Sequence, residues 1–328
     1  MKVLLISGFL GAGKTTFIKE LIKHTDKQVA ILENEVSPLN IDADNLQSKE
    51  LNIWELTEGC ICCSTGGDFA TSVLTIANSV DPEYLIVEPS GIAMLSNIIK
   101  NIKQIEYEHI SLLAPVTILD ADNYNYYMSD YPAIAKDQLK NAHFVIISKI
   151  NSSNRFKLAK IESFIKDTNE ESEIVGYDYK NADNAFWHKI LNTNYDKSLI
   201  ESKEEPENLD TMAFTETNID NVYKLSVLLE NIVRGQYGEI VRAKGSIYID
   251  DYRLSFDLVS GKYSILITYK DALDEEILYN DINRQNKLVF IGRNISKKSL
   301  KEALSYKSDY RKIGLKMTQY LSGLFYCI

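Results

Sequence analysis

An α/β fold, with a doubly wound, mostly parallel sheet and a smaller C-terminal α+β domain, is predicted by three features of this 328-residue chain. Apolar strand-like runs alternate with amphipathic helical stretches through residues 1–195. A polar, acidic stretch, NTNYDKSLIESKEEPENLD (192–210), then breaks the pattern. The remainder of the chain is β-rich and punctuated by turn signals.

The strand candidates of the first part are KVLLIS (2–7), QVAILE (28–33), LNIWEL (51–56), YLIVE (84–88), PVTILDA (115–121) and HFVIIS (143–148). Several are continuous apolar runs, the pattern of strands buried on both faces of a parallel sheet. Helical stretches are expected at 14–24, 68–80 and 156–168. Beyond the acidic stretch lie TMAFTET (211–217), a helical stretch at 221–233, and the strand candidates EIVRAKGSIYIDD, YRLSFDLVS and GKYSILITYK, with a turn at Ser260-Gly261. KLVFIGR (287–293) adds a strand, and SKKSLKEAL (296–304) a helix with Ser296 placed to cap it. The expected organisation is a first domain over 1–195, an acidic linker over 196–210 and a second domain over 211–328.

A net charge of −10 argues against a nucleic-acid partner, because phosphate backbones are gripped by clustered Lys and Arg. No run reaches the 18 or more apolar residues of a membrane helix, so no membrane partner is expected. Met1-Lys2 followed by VLLISGFLGA has the outline of a short signal peptide, but cleavage there would destroy the glycine-rich motif at 8–15. Cys327, one residue from the end, does not fit a prenylation box. A cytoplasmic location is the expectation.

GFLGAGKT (8–15) matches G-x-x-x-x-G-K-[ST] at every defined position, with a strand before it and a helix after. Gly8, Gly11 and Gly13 let the backbone turn tightly, so that its N–H groups, with those of Ala12 and Thr16, can face phosphates. Lys14 supplies a cation, and the Thr15 hydroxyl is suited to Mg²⁺. Glu88 ends the run YLIVE and is followed by Gly91; a carboxylate there can reach the Mg²⁺ shell while the glycine permits close approach to the γ-phosphate.

Three of the four cysteines, Cys60, Cys62 and Cys63, crowd into GCICC. That spacing is not a disulfide framework and suits a soft or borderline ion such as Zn²⁺ or Cu(I). Inert buried thiols, a redox pair or a structural zinc completed by a distant ligand are the alternatives. The four histidines, His24, His109, His143 and His188, are scattered and read as ordinary surface or core residues.

The P-loop, ILENE (31–35), GCICC and EPSG (88–91), in this order, resemble the CobW-like family of metal-handling P-loop GTPases, relatives of the urease- and hydrogenase-maturation GTPases. EIVRAKGSIYI and LVFIGR resemble that family's C-terminal domain. The resemblance implies Mg²⁺-dependent GTP hydrolysis coupled to binding a transition metal, commonly Zn²⁺ or Co²⁺, and delivering it to a client metalloprotein or cofactor-synthesis protein. It implies metal ligation by Cys60, Cys62 and Cys63, and a place near nucleotide and metal for Glu33. Ser148, Lys149 and Asn151 match the guanine-reading segment, where Asn151 replaces the usual Asp and forfeits part of the match to guanine. Ser37 and Pro38 stand where the family has a Gly and an acid, so one metal ligand is missing there. With no general base or arginine finger evident, slow intrinsic turnover is expected, and a client or a second copy of the chain in a homodimer is a candidate accelerator. The alternatives are a P-loop kinase or ATPase acting on a small molecule, with structural cysteines, and a non-hydrolysing regulatory module.

Overall fold

The computed structural model describes residues 1–33, 52–55, 66–107, 109–151, 155–201, 205–269 and 286–305. The chain divides into two compact units, Met1–Asn208 and Leu209–Ile328.

In the first unit the buried apolar runs form one parallel sheet: β1 (Lys2–Gly8), β2 (Val29–Glu33), β3 (Asn52–Glu55), β4 (Tyr84–Glu88), β5 (Ser111–Leu112), β6 (Val116–Asp120), β7 (Phe144–Ser148) and β8 (Glu173–Val175). The order is β3-β2-β4-β1-β6-β7-β8, with the short β5 paired to β1. Strand order therefore reverses at β1, and ligands of such sheets bind outside the carboxyl ends of the strands at that point.

Alternation along each strand sends side chains to two separate cores. Leu4, Ile6, Ile31 and Ile86 pack on one face with α1 (Lys14–Leu21) and α7 (Asn184–Asn192), where Phe17, Leu21, Trp187 and Ile190 are buried. Val3, Leu5, Leu32, Leu85 and Val87 pack on the other face with α2 (Gly66–Ser79) and α3 (Leu95–Ile105). Toward the β7 edge, Leu119, Val145 and Ile147 pack with α4 (Tyr124–Asp130), α5 (Pro132–Lys140) and α6 (Leu158–Thr168).

The helical stretch expected at 14–24 is α1 followed by a 3₁₀ turn at Ile22–His24, where the His24 ring stacks on Trp187. The elements that periodicity did not reveal are α3, α4, α5, α7, β5 and β8. Three of these helices, α3, α4 and α5, start without a side-chain cap from the preceding residue, and two of them draw acceptors from a distance. Met94 precedes α3 and has no side-chain oxygen to accept its free N–H groups; Asp137 of α5 does so, accepting from Ser96 N at 3.1 Å. Tyr131 makes no side-chain cap at the start of α5, and Glu207 accepts from Ala133 N and Ile134 N at 2.7 and 3.2 Å. Capping from a distance leaves no local sequence signature. The acidic segment that supplies Glu207 is further tied to the first unit at Ile200, whose N–H and carbonyl bond the Asn141 side chain at 3.1 and 3.0 Å.

The second unit is an antiparallel sheet of β9 (Asp210–Phe214), β10 (Glu239–Ile249), β11 (Tyr252–Val259), β12 (Lys262–Tyr269) and β13 (Lys287–Arg293), in the order β12-β11-β10-β13-β9. One face carries Ala243, Ile247, Leu254, Phe256, Leu258, Leu288 and Phe290, and packs on α8 (Val222–Val233) and α9 (Lys297–Ser305). Asn221 caps α8 by accepting from Lys224 N at 2.9 Å, and Ser296 caps α9 by accepting from Ser299 N at 3.3 Å. Ser260 and Gly261, both at positive φ, form the two-residue turn that joins β11 to β12.

Asp137 carries the fold-level prediction. Asp137→Ala leaves the start of α3 without its acceptor inside the protein, and unfolding in urea should register a loss of about 2–3 kcal/mol. Burial raises the Asp137 pKa. A folded pKa above the unfolded one means that stability is full at acid pH and is lost as pH rises from the ordinary aspartate range through the raised value. The stability of wild type relative to Asp137→Asn should therefore fall across that window.

Candidate functional site

The end of β1 meets β6 more closely than a side chain would allow. A Cβ on Gly8, which has φ +141°, would lie 2.4 Å from the Ile118 carbonyl oxygen. Gly11 and Gly13 also take positive φ, 71° and 102°, so the loop folds back on itself and Ala12 N bonds the Phe9 carbonyl at 3.1 Å. Gly13 is the N-cap of α1, and the first helical residues are Lys14, Thr15 and Thr16. The helix N-terminus thus opens at the carboxyl edge of the sheet, where backbone donors and the helix dipole favour an anion.

Three of the sequence-predicted residues converge there. The Thr15 hydroxyl lies 3.0 and 2.9 Å from the two Glu88 carboxylate oxygens, within donating distance of either. Lys14 Nζ is 3.9 Å from Glu88 and 3.5 Å from the Phe9 carbonyl oxygen that it donates to. Glu88 is only 4% exposed and Lys14 5%, so their charges interact with little screening by water. A buried carboxylate touching a hydroxyl is a hard-oxygen pair of the kind Mg²⁺ takes, and the adjacent ammonium can face phosphate oxygens.

Glu33, at the end of β2, is also buried, and its backbone stands in register with Glu88 of β4 on one side and Glu55 of β3 on the other. Cys60, Cys62 and Cys63 lie outside the described residues, as do Glu35, Ser37 and Pro38. Among the described residues, no group of three or more His, Cys, Asp or Glu is arranged to hold a metal.

Gly91 is the second point of close approach. Its Cβ would fall 2.4 Å from Leu10 N and 2.8 Å from Leu10 Cα, so the turn after Glu88 lies directly on the phosphate loop.

The segment expected to read the base, Ser148 to Asn151, reaches the same loop. Ser148 donates from Oγ to the Ala12 carbonyl at 2.6 Å. Lys149 adopts a left-handed φ of 56° and pairs with Asp120 at 2.8 Å. Asp120 is fully buried and also accepts from Asp122 N at 2.9 Å and Asn123 Nδ2 at 2.8 Å. Asn151 is exposed and donates from Nδ2 to the Lys149 carbonyl at 3.3 Å. Sequence reasoning passed over Asp120, although it ends an apolar strand just as Glu88 does. Tyr127 was also missed: its buried hydroxyl donates to the Leu10 carbonyl at 3.2 Å, and its ring packs on Phe9 at 4.3 Å.

Residues 2–176 match the model of the CobW/HypB/UreG nucleotide-binding domain, and residues 210–306 match that of the cobalamin synthesis protein cobW C-terminal domain. The chain belongs to the CobW/HypB/UreG family. As a member it is a P-loop GTPase with a CobW C-terminal domain. Among curated relatives, the zinc chaperone YjiA of Escherichia coli K12 is 22% identical over 323 residues, 92% of this chain and 97% of that protein. The zinc chaperone YeiR of the same organism is 32% identical over 157 residues, 44% of this chain and 45% of YeiR. The crystal structure of Zn(II)-bound YjiA GTPase from E. coli superposes with a TM-score of 0.46 at 18% identity, covering 92% of this chain and 97% of that one. No helix among the described residues is long and apolar enough to cross a membrane.

The Gly91 contact gives this site its test. Gly91→Ala must push the Leu10 backbone away, since its Cβ cannot sit at 2.4 Å from a main-chain nitrogen. Charged hydrogen bonds from such a loop contribute about 1.5–3 kcal/mol each, so losing one should weaken nucleotide binding by about tenfold or more in a fluorescent-nucleotide titration.

Proposed function

We propose that this CobW-family GTPase couples its nucleotide state to the binding and delivery of a divalent transition metal, with Zn²⁺ the first choice and Co²⁺ the second. The observation that carries the reading is the convergence of Lys14, Thr15 and Glu88 at the start of α1, beside a glycine turn pressed onto the phosphate loop. In this reading Gly8–Thr16 cradle the phosphates, and Lys14 neutralises the β- and γ-phosphate oxygens. The Thr15 hydroxyl and Glu88 carboxylate would hold Mg²⁺, which when bound supplies charge neutralisation between β- and γ-phosphates. Ser148, Lys149 and Asn151 form the wall against the base, with Ser148 locking that wall to the loop through Ala12.

The transition metal is cargo. Its proposed ligands are Cys60, Cys62 and Cys63, with Glu33 as an oxygen donor. Support comes from the relatives named zinc chaperones and from the placement of Glu33 beside Glu88 at the carboxyl edge. The cysteine segment begins five residues beyond Glu55, the last residue of β3, which pairs with Glu33. Five residues reach at most about 18 Å when fully extended, which bounds the distance from Glu55 to Cys60. A client metalloprotein or cofactor-synthesis protein would receive the ion, and a second copy of the chain is a further candidate partner. Asn151 favours one departure from the family pattern, a relaxed choice between GTP and ATP, because its amide offers one acceptor where a carboxylate offers two.

The deciding experiment is a Zn²⁺ titration of the reduced protein, alone and with a non-hydrolysable GTP or ATP analogue. One tightly bound ion whose affinity shifts with nucleotide is the expected outcome, with an equal reciprocal shift of nucleotide affinity. Lys14→Ala should abolish the shift, and the triple Ser variant of Cys60, Cys62 and Cys63 should lose the ion while keeping nucleotide. Sub-stoichiometric zinc indifferent to nucleotide would refute the reading. Separately, Asn151→Asp should raise the preference for GTP over ATP by roughly tenfold, from one restored hydrogen bond to the base.

A further inference from the structure

We infer that Gln138, a buried residue of α5, is a positioning residue for the γ-phosphate, holding the turn after Glu88 against the phosphate loop. The inference rests on the proposed GTPase chemistry and concerns how triphosphate is told from diphosphate. Gln138 is 2% exposed. Its Nε2 donates to two carbonyls of the turn, Gly91 at 3.2 Å and Ala93 at 3.0 Å. Facing two acceptors, the side-chain amide can present only its NH₂ group, so its orientation is fixed by chemistry. Its own main-chain carbonyl accepts from Thr117 Oγ1 at 2.9 Å, which anchors the residue to β6 beside β1.

The turn is therefore held by two contacts. The Gly91 backbone lies close against Leu10 and Phe9 backbone atoms, and Gln138 holds its carbonyl. The turn closes on itself through Ala93 N and the Ser90 carbonyl at 2.9 Å. Asp137, the preceding residue, fixes the chain a little further on at Ser96. Consecutive residues of one helix thus grip both ends of the segment Gly91–Ser96, which begins three residues after the Glu88 carboxylate.

In the proposed reading a diphosphate engages the loop, Lys14 and the Mg²⁺ pair, and only a triphosphate carries a further phosphate toward the Gly91 turn. If the turn were free to sample other positions, ordering it would be charged against triphosphate binding and not against diphosphate binding. Pre-positioning by Gln138 removes that cost, so its effect falls on the difference between the two ligands. A residue that merely supported the fold would shift both affinities together.

The test is equilibrium binding of a fluorescent non-hydrolysable GTP analogue and of GDP, each with Mg²⁺, to wild type and Gln138→Met. Methionine keeps the volume and removes both donors. The expected result is a loss of about tenfold in triphosphate affinity, with GDP affinity within about twofold of wild type. If Gln138→Met does not fold, Gln138→Asn retains the amide but shortens its reach by one methylene, and the same pattern is expected. Equal losses for both nucleotides, or no loss for either, would overturn the inference while leaving the GTPase reading intact. A wild type that binds neither guanine nucleotide would overturn both.

Discussion

The nucleotide site depends on three backbones approaching closer than side chains permit. The end of β1 lies against Ile118 through Gly8, and the turn after Glu88 lies against Leu10 through Gly91. Between these contacts the loop makes its tight return at Gly11 and Gly13 and enters α1. The close packing sets the distance between the carboxyl ends of β1 and β4, and hence the 2.9–3.0 Å meeting of Thr15 with Glu88. A methyl group at Gly8 or Gly91 would not merely crowd the site. It would move the main chain whose N–H groups constitute it.

Around this core, polar side chains act as struts between elements that are distant in sequence. Tyr127 holds the Leu10 carbonyl, Ser148 the Ala12 carbonyl and Gln138 the Gly91 carbonyl. Each is buried, so each hydrogen bond operates where a lost partner is costly and a made one is geometrically exacting. Helix α5 has a distinctive share in this. Its Asp137 and Gln138 hold the segment after Glu88, while its N-terminus is capped by Glu207 and Asn141, just past its end, is bonded to Ile200. The helix therefore joins the turn after Glu88 to the stretch of chain that precedes Leu209.

Much of this was legible in the sequence, for identifiable reasons. Strands buried on both faces appear as unbroken apolar runs; β2, β4, β6 and β7 lie within segments read as strands, and β1 runs one residue past its own. The P-loop is local in sequence, so its glycines, Lys14 and Thr15 could be named from one octapeptide. Glu88 could be named because it ends such a run. By contrast, α3 and α5 draw their caps from Asp137 and Glu207, which are distant in sequence; nothing near Met94 announces a helix, and at α5 the local signal is Pro132 at its first position. The struts are invisible for a similar reason. A glutamine in a helix is ordinary until the carbonyls it serves are brought beside it. Asp120 is the instructive case between these extremes, since it ends PVTILD as Glu88 ends YLIVE, yet it is spent on Lys149 and Asn123.

The same geometry bears on how cargo and nucleotide could communicate in the proposed scheme. Glu33, Glu55 and Glu88 stand in backbone register at the carboxyl ends of three adjacent parallel strands. Hydrogen-bonded neighbours in a sheet are about 4.8 Å apart, so the steps from β4 to β2 and from β2 to β3 carry the edge only about 10 Å from the end of β4. Cys60 follows Glu55, at the far end of that short row, by five residues in the sequence. Rigid strands fix the row, so a change felt at Glu88 does not need to propagate through the sheet itself. It needs only to alter which of the segments rooted along that edge are held in place, and a ligand that prefers one arrangement of them necessarily changes the affinity of the other ligand by the same factor. Coupling of that kind asks for no relay of side chains, only for two ligands competing to organise one short border of the fold.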